Sequence, residues 1–298
     1  MLKFLKQLLG GQKRYAKVDV EKRFQLLSRV GQGSMSKVWR AVDTRTGKTV
    51  ALKVLDFEKT LKLESRFQKM KTPKPTEGEI AMSLDHPHIV KTYEFGLTTK
   101  NEQFLVMEFI EGMSLSYFVD VQNEQMKRNC LRYIIELGEA VQYFHESNWI
   151  HRDICPRNIV VDANQTIKLI DFGLVVPNTP EYQAPGNRTG TAMYMAPELI
   201  KRQKTDQRLD IFSYSVTCFE MFTRELPWPA GESLEAVIQH LNRPPKDLRK
   251  LVPGIDPIVA KVIMRGLSRN PDERWKSMGQ ILPHLREALA RSEDASGS

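Results

Sequence analysis

Cysteine is scarce in this sequence: Cys130, Cys155 and Cys218 are the only three in 298 residues, and they lie far apart. No C-x-x-C pair and no Cys/His cluster occurs, which argues against a zinc site and a disulfide framework. A reducing compartment, the cytoplasm, is the expected location. No apolar run reaches the roughly 18 residues of a membrane-spanning helix. The net charge is +8, from 44 Lys+Arg against 36 Asp+Glu, yet no long basic run accompanies it. We read the excess as a solvated basic surface and expect no nucleic-acid partner. Internal repeats and low-complexity tracts are also missing. With 41% hydrophobic and 27% charged residues, the composition excludes wholesale disorder. The length suits one large domain or two lobes sharing a cleft.

Residues 1–20 form a short basic extension. Leu2, Leu5, Leu8 and Leu9 recur at helical spacing beside Phe4, and Lys3, Lys6, Lys13, Arg14 and Lys17 supply charge. Lys3 and Lys6 interrupt the apolar run that a signal peptide would need. Contact with a membrane surface is one reading. Packing back onto the domain is the preferred one, because position 2 is not the glycine of a lipidation motif. Residues from about 24 to 107 alternate like strands around one helical segment, and those from about 112 to 287 are mainly helical, with a strand-turn-strand block at 158–171. Cys130, Ile134, Leu137, Val141 and Phe144 make one helix face, and Leu209 to Thr223 is apolar nearly all round, as in a buried central helix. Glu293 to Ser298 reads as a frayed polar tail.

Gly31-Gln-Gly33-Ser-Met-Ser36-Lys-Val38 follows an apolar strand. Glycines there let backbone amides approach phosphate oxygens, although a plain hairpin turn gives the same pattern. Val50-Ala-Leu-Lys53-Val sets one lysine in an apolar strand, and a buried lysine needs an anion. His151-Arg-Asp153-Ile-Cys155-Pro-Arg157-Asn158 precedes Asp171-Phe-Gly173. Two acids and an asparagine converging at strand ends suit magnesium, which takes hard oxygen ligands, with a further acid to orient a hydroxyl nucleophile; a polar loop with helix-capping residues is the alternative. Gly190-Thr191-Ala-Met-Tyr-Met-Ala196-Pro197-Glu198 completes the series.

In this order and spacing the motifs resemble those of eukaryotic-type protein kinases, in layout the stand-alone Ser/Thr kinases also found in bacteria, from about Phe24 to Leu285. The resemblance implies an α+β, two-lobed protein-kinase fold. A small antiparallel-sheet N-lobe (about 21–107) would carry one regulatory helix, a hinge would span 108–112, and a larger, mainly helical C-lobe (113–290) would precede a flexible tail (291–298). ATP would lie between the lobes. The implied activity is ATP- and magnesium-dependent transfer of the γ-phosphate to Ser/Thr hydroxyls of protein substrates in signalling, with an activating or regulatory protein as a further partner. Gly31, Gln32, Gly33 and Ser34 would cover the phosphates, with Val38 and Ala51 also at the nucleotide. Lys53 would contact the α- and β-phosphates and pair with Glu77, with Glu79 as the alternative. Met107 would be the gatekeeper, and backbone from Glu108 to Ile110 would bind adenine. Asp153 would be the base, and Asn158 and Asp171 would hold magnesium. Asp210 would brace the catalytic loop, and Arg274 would pair with Glu198.

Several positions depart from the family pattern. Ser36 stands for the third glycine, and Cys155 for the lysine that contacts the γ-phosphate in Ser/Thr kinases. Arg157, as in receptor-type tyrosine kinases, is the expected replacement cation, and it predicts no preference for basic residues just before the phosphosite. The Thr191 loop implies Ser/Thr specificity, with Thr191 against Asp153. Thr179, Tyr182 and Thr189 are candidate activation-loop phosphosites facing Arg152, Thr189 being favoured, with a constitutively ordered loop as the alternative. Oxidation of Cys155 would need a lowered thiol pKa, and an inert thiol is the alternative. Pro73, Pro75 and Gly78 suggest that the Lys53–Glu77 pair awaits a partner. Two other functional classes compete with an active protein kinase. A pseudokinase scaffold rests on Cys155 and Ser36. A small-molecule kinase is disfavoured by the Thr191–Glu198 loop.

Overall fold

The computed structural model describes residues 17–32, 35–67, 70, 73–186, 189–229, 231 and 234–296. Residues 1–16, and with them the basic apolar stretch, lie outside the described residues, as do Gly33 and Ser34. The chain divides into two compact units. One runs to Leu84 and takes in Lys91–Phe109; the other comprises Asp85–Val90 and everything from Ile110.

The first unit is a six-stranded sheet. In chain order its elements are β1 (Lys17–Val18), α1 (Val20–Arg23), β2 (Phe24–Gln32), β3 (Ser36–Asp43), β4 (Lys48–Leu55), α2 (Phe57–Ser65), α3 (Glu77–Met82), β5 (Thr92–Thr98) and β6 (Gln103–Glu108). The strand order is β1-β5-β6-β4-β3-β2. Every neighbouring pair is antiparallel except β1, which runs parallel to β5. The end of the basic extension is thus built into the sheet, because Val18 packs against the core of Phe24, Ala41, Val50, Leu52, Phe104 and Val106. Arg23 secures this corner: its guanidinium donates to both oxygens of Asp43 (3.1 and 2.8 Å) and to both of Glu94 (2.7 Å each).

Helix α3 is short, six residues, and starts at a complete capping box. Thr76 Oγ1 accepts from Glu79 N, and Glu79 accepts from Thr76 N. Gly78 looks like a helix-weakening residue in the sequence, but packing requires it: a Cβ there would collide with Cβ, Cγ and Cδ2 of Phe95 on β5. Gly78→Ala is expected to push α3 off the sheet. The stability loss should be about 1–3 kcal/mol, the usual cost of overpacking. Parallel thermal melts of wild type and variant check this.

The second unit is built on α5 (Glu124–Glu146) and α8 (Arg208–Thr223). It also contains β7 (Gly112–Ser114), α4 (Leu115–Val121), β8 (Trp149–Ile150), β9 (Ile159–Asp162), β10 (Ile167–Leu169), β11 (Val176–Pro177), α6 (Pro180–Gln183) and α7 (Pro197–Ile200). Helices α9 (Leu234–Asn242), α10 (Leu248–Leu251), α11 (Pro257–Gly266) and α12 (Met278–Ser296) follow α8. Two small sheets, β10-β9-β7 and β11-β8, carry the loops of interest. On α8, residues 209–219 are all buried; its hydroxyls are accommodated because Ser213, Ser215 and Thr217 donate back to carbonyls four residues earlier. Of the flexible tail expected over 291–298, residues 291–296 are the last part of α12, and 297 and 298 lie outside the described residues. Arg291 pairs with Glu287 one turn earlier and with Asp256 at the start of α11, which extends the helix. Among the described residues, no helix is long and apolar enough to cross a membrane.

An aromatic stack on α8 has a pH consequence. Phe212, Trp228 and His240 lie nearly parallel, with Trp228 and His240 centroids 4.5 Å apart. Burial pushes the imidazole down to about 4. The unfolded chain therefore binds a proton that the folded chain refuses, and stability falls as pH drops from about 6.5 toward 4. Wild type should lose up to about 3 kcal/mol more than His240→Phe across that window, read by denaturant titration at each pH.

Candidate active site

In the first unit, Lys53 lies on the central strand β4, where Val50, Ala51, Leu52 and Lys53 are all buried. Lys53 is 4% exposed, and its Nζ donates to Glu77 Oε1 at 2.5 Å. Glu79, the alternative, turns instead to its own helix cap. The chain closes the Lys53–Glu77 pair with its own residues, so the expectation that the pair awaits a partner is set aside. Val38 is in register with both Gly31 and Lys53. Ala51 sits opposite the buried Met107 on β6. Glu108 is fixed to Lys91 by two backbone-anchored bonds, 2.9 and 2.8 Å. Ile110 begins the second unit, and Gln32 ends β2.

In the second unit, the loop after β8 is held from below. Asp210, fully buried on α8, accepts from His151 N and Arg152 N (2.8 Å each), and His145 Nε2 lies 3.0 Å away. Burial pushes this carboxyl up, but the His145 bond, the two imidazoles and the His151 amide outweigh it and hold it below the usual range. Arg152 takes φ +70°, and its Nη2 donates to Tyr182 O at 2.8 Å. Its Nε and Nη1 are buried without a hydrogen-bond partner among the described residues, and burial lowers its pKa to about 10.

These supports present Asp153. Thr191 donates to Asp153 Oδ1 from both its amide and its hydroxyl, each at 2.8 Å. Asn158 Nδ2 donates to Asp153 Oδ2 and to its carbonyl, also at 2.8 Å. Gly190 permits this approach: its φ is +134°, and a Cβ would lie 2.7 Å from Arg152 O. Asp171 follows β10, and Gly173 N donates to its Oδ1 at 3.1 Å; Phe172 packs on Phe144. Asn158 and Asp171 both belong to this unit. With its amide nitrogen turned to Asp153, Asn158 presents its amide oxygen as the atom a metal would take, and Asp171 presents a carboxylate. Two hard oxygens fit magnesium, which takes few protein ligands and completes its shell with water and phosphate.

Cys155 is 1% exposed, with Sγ 4.0 Å from Thr191 Oγ1. Burial, then the Asp153 charge, pushes its thiol up to about 12, which makes it the inert thiol. Arg157 is exposed and acts electrostatically on Cys155, Tyr194 and Glu220. Among the candidate phosphosites, Tyr182 and Thr189 are buried and Thr179 is half-buried. The site also holds residues that the sequence did not single out. His145 supports Asp210. Tyr194 Oη donates to Glu220 Oε2 and so fixes the loop below Thr191. No local pattern marks either role, since each depends on a partner 65 or 26 positions away.

Residues 24–285 match the protein kinase family, described as "Protein kinase domain". The chain belongs to that family. It is 30% identical over 278 residues to the probable serine/threonine-protein kinase pknA2 of Bifidobacterium longum, covering 91% of this chain and 36% of that protein. It is 30% identical over 275 residues to serine/threonine-protein kinase PknD of Mycobacterium tuberculosis (91% and 40%). It is 26% identical over 270 residues to serine/threonine-protein kinase PrkC of Bacillus subtilis (90% and 40%). The matched region thus spans 36–40% of the length of these relatives.

Proposed function

We propose that this chain transfers the γ-phosphate of ATP to Ser/Thr hydroxyls of protein substrates, and that it uses magnesium to do so. The observation that carries the reading is the Asp153 carboxylate, fixed by three hydrogen bonds from Thr191 and Asn158. So held, Asp153 accepts a hydrogen bond from the substrate hydroxyl, aims its oxygen, and takes its proton as the new O–P bond forms and the bond from the γ-phosphorus to the bridging oxygen breaks, releasing ADP. Bound magnesium–ATP supplies the phosphoryl group and offsets the charge on its oxygens. Lys53, kept in place by Glu77, binds the α- and β-phosphates, and Asn158 and Asp171 hold the metal. The glycine loop from Gly31 to Ser34, with Val38, Ala51, Met107, Glu108 and Ile110, binds the nucleotide. Contact between Thr191 and Asp153 favours serine and threonine over tyrosine. A cytoplasmic setting is supported by three unbridged, buried cysteines. The two Arg152 nitrogens without a hydrogen-bond partner among the described residues offer a phosphorylated activation segment a place to bind.

The pseudokinase reading is not favoured, because Lys53, Glu77, Asp153, Asn158 and Asp171 are all retained. Arg157 supplies the cation missing at Cys155. Arg157→Ala is therefore expected to lower turnover by about tenfold; a fall of no more than about twofold would remove Arg157 from the mechanism. The test of the function itself is transfer from labelled ATP with magnesium, using the chain and a generic protein as acceptors. Phosphoserine and phosphothreonine are the expected products. No transfer with ATP binding intact would overturn the proposal.

A further inference from the structure

Strand β11 pairs with β8, Val176 opposite Ile150 and Pro177 opposite Trp149. The next residue, Asn178, is anchored through its backbone, its N donating to Asn148 O at 2.8 Å. Helix α6 follows at once and is four residues long. A single helical turn does not hold itself in water, because its nucleus costs more than its few hydrogen bonds return. Contacts from outside α6 have to fix it.

Three side-chain amides in series supply them. Gln183 Nε2, at the end of α6, donates to Asn178 Oδ1 at 2.9 Å; Asn178 Nδ2 donates to Gln207 Oε1 at 3.1 Å; Gln207 Nε2 donates to Lys276 O at 3.3 Å. The donors all point one way. A carbonyl such as Lys276 O only accepts, so Gln207 turns its nitrogen there and keeps its oxygen for Asn178, which keeps its own oxygen for Gln183. Gln207 is the N-cap residue of α8, yet its side chain makes no capping bond. Its amide serves the series instead. Thr205 N donates to Gln183 O at 2.9 Å, a second tie between the end of α6 and the approach to α8.

The end of α6 fixed in this way is the end that meets the catalytic loop. Tyr182, next to Gln183, is buried, and its carbonyl accepts from Arg152 Nη2 at 2.8 Å. Arg152 stands at φ +70°, a conformation that an L residue keeps only where its surroundings hold it, and Asp153 is the next residue. The loop is therefore held from two sides. Asp210 takes the backbone amides of His151 and Arg152, and Tyr182 O takes the Arg152 guanidinium. Helix α8 stands behind both: Asp210 acts directly, and Gln207, three residues earlier, acts through Asn178 and α6. The path from Asn178 to Asp153 thus runs through Gln183, Tyr182 O and Arg152.

We propose that Asn178 is a positioning residue for the transfer reaction: by joining Gln183 to Gln207 it holds α6 where Tyr182 O receives Arg152, and so sets the aim of Asp153. The part concerning Asp153 rests on the kinase reading above. The fixing of α6 does not. A residue that only stabilised the fold would change the melting temperature and leave the turnover of folded molecules alone. A positioning residue changes turnover well below the melt. It leaves nucleotide affinity alone, because Lys53, Asn158 and Asp171 lie off the path.

The experiment uses the full chain and compares wild type with Asn178→Leu, which keeps the size of the side chain and removes both amide bonds, and with Gln183→Leu, which cuts only the bond from α6. Turnover is measured well below the melting temperature of each protein. In Asn178→Leu, kcat should fall about tenfold, and Gln183→Leu should follow in the same direction, while KM for magnesium–ATP stays within about twofold. Unchanged kcat in both variants, or a rise in KM that matches or exceeds the fall in kcat, overturns the positioning role. Hydrogen exchange tests the fixing of α6 apart from activity. The amides of Tyr182 and Gln183, which donate to Thr179 O, should exchange about tenfold faster or more in Asn178→Leu, and equal exchange overturns the proposal. If Asn178→Leu does not fold, Gln183→Leu decides both points by the same measurements. If exchange quickens but no protein, wild type included, transfers phosphate, the kinase reading fails and the fixing of α6 stands.

Discussion

Asp153→Ala is expected to reduce phosphate transfer by about a hundred- to ten-thousandfold, the range lost with a positioned general base, while ATP binding stays near wild type. The carboxylate accepts from Thr191 N, Thr191 Oγ1 and Asn158 Nδ2 at 2.8 Å each. Its truncation unties the two residues that aim it and, on the proposed function, removes the acceptor for the substrate hydroxyl. Those donors are only partly buried, so water can replace the lost acceptor at about 1–3 kcal/mol or less, and the variant should still melt cooperatively. Asp153→Asn is a less clean comparison: it keeps an oxygen for Thr191 but faces the Asn158 amide with another N–H donor. Thr191→Ala separates aim from chemistry. It leaves the base in place with one bond fewer, and should lower turnover by about tenfold. Turnover from labelled ATP checks all three variants. Wild-type transfer by Asp153→Ala would remove the base from the mechanism.

Arg274→Met should cost about 3–5 kcal/mol of stability, the penalty for leaving a buried charge alone. Arg274 and Glu198 are 1% and 4% exposed, 76 positions apart, and joined by two parallel bonds of 2.7 Å. The guanidinium lies over the Phe212 ring at 4.8 Å and donates to Ser268 O and Arg208 O. It therefore ties the segment below Thr191 to α8 and the region before α12. Adding Glu198→Gln removes the orphaned charge and should recover part of the loss, not all, because the carbonyls of Ser268 and Arg208 still lack their donor. Urea titration of the single and double variants reads both effects. Equal stability of wild type and Arg274→Met would show that the pair adds nothing.

Much of this protein was legible in one dimension. The order of the glycine loop, the strand lysine, the 151–158 and 171–173 motifs and the 190–198 segment sufficed to name the family. Periodicity outlined α5 and α8, because burial of a helix face is written in residue spacing. These signals are local: backbone geometry and apolar period are set within a turn or two of chain.

The tertiary structure decided what depends on partners distant in sequence. Gly78 weakens a helix in isolation, but Phe95, 17 positions on, leaves no room for a side chain. Lys17 and Val18 read as extension, and the tail as frayed; pairing with β5 and the Arg291 contacts to Glu287 and Asp256 turn them into strand and helix. Cys155 had two opposed readings, and complete burial chose between them. Asn178 lies in a plain stretch of sequence and acquires meaning only where the fold brings Gln207, 29 positions on, to its amide. Sequence alone determined which family and which motifs this protein carries. Only the tertiary structure decided which charges meet, because desolvation and close packing act between surfaces that the chain brings together after it folds.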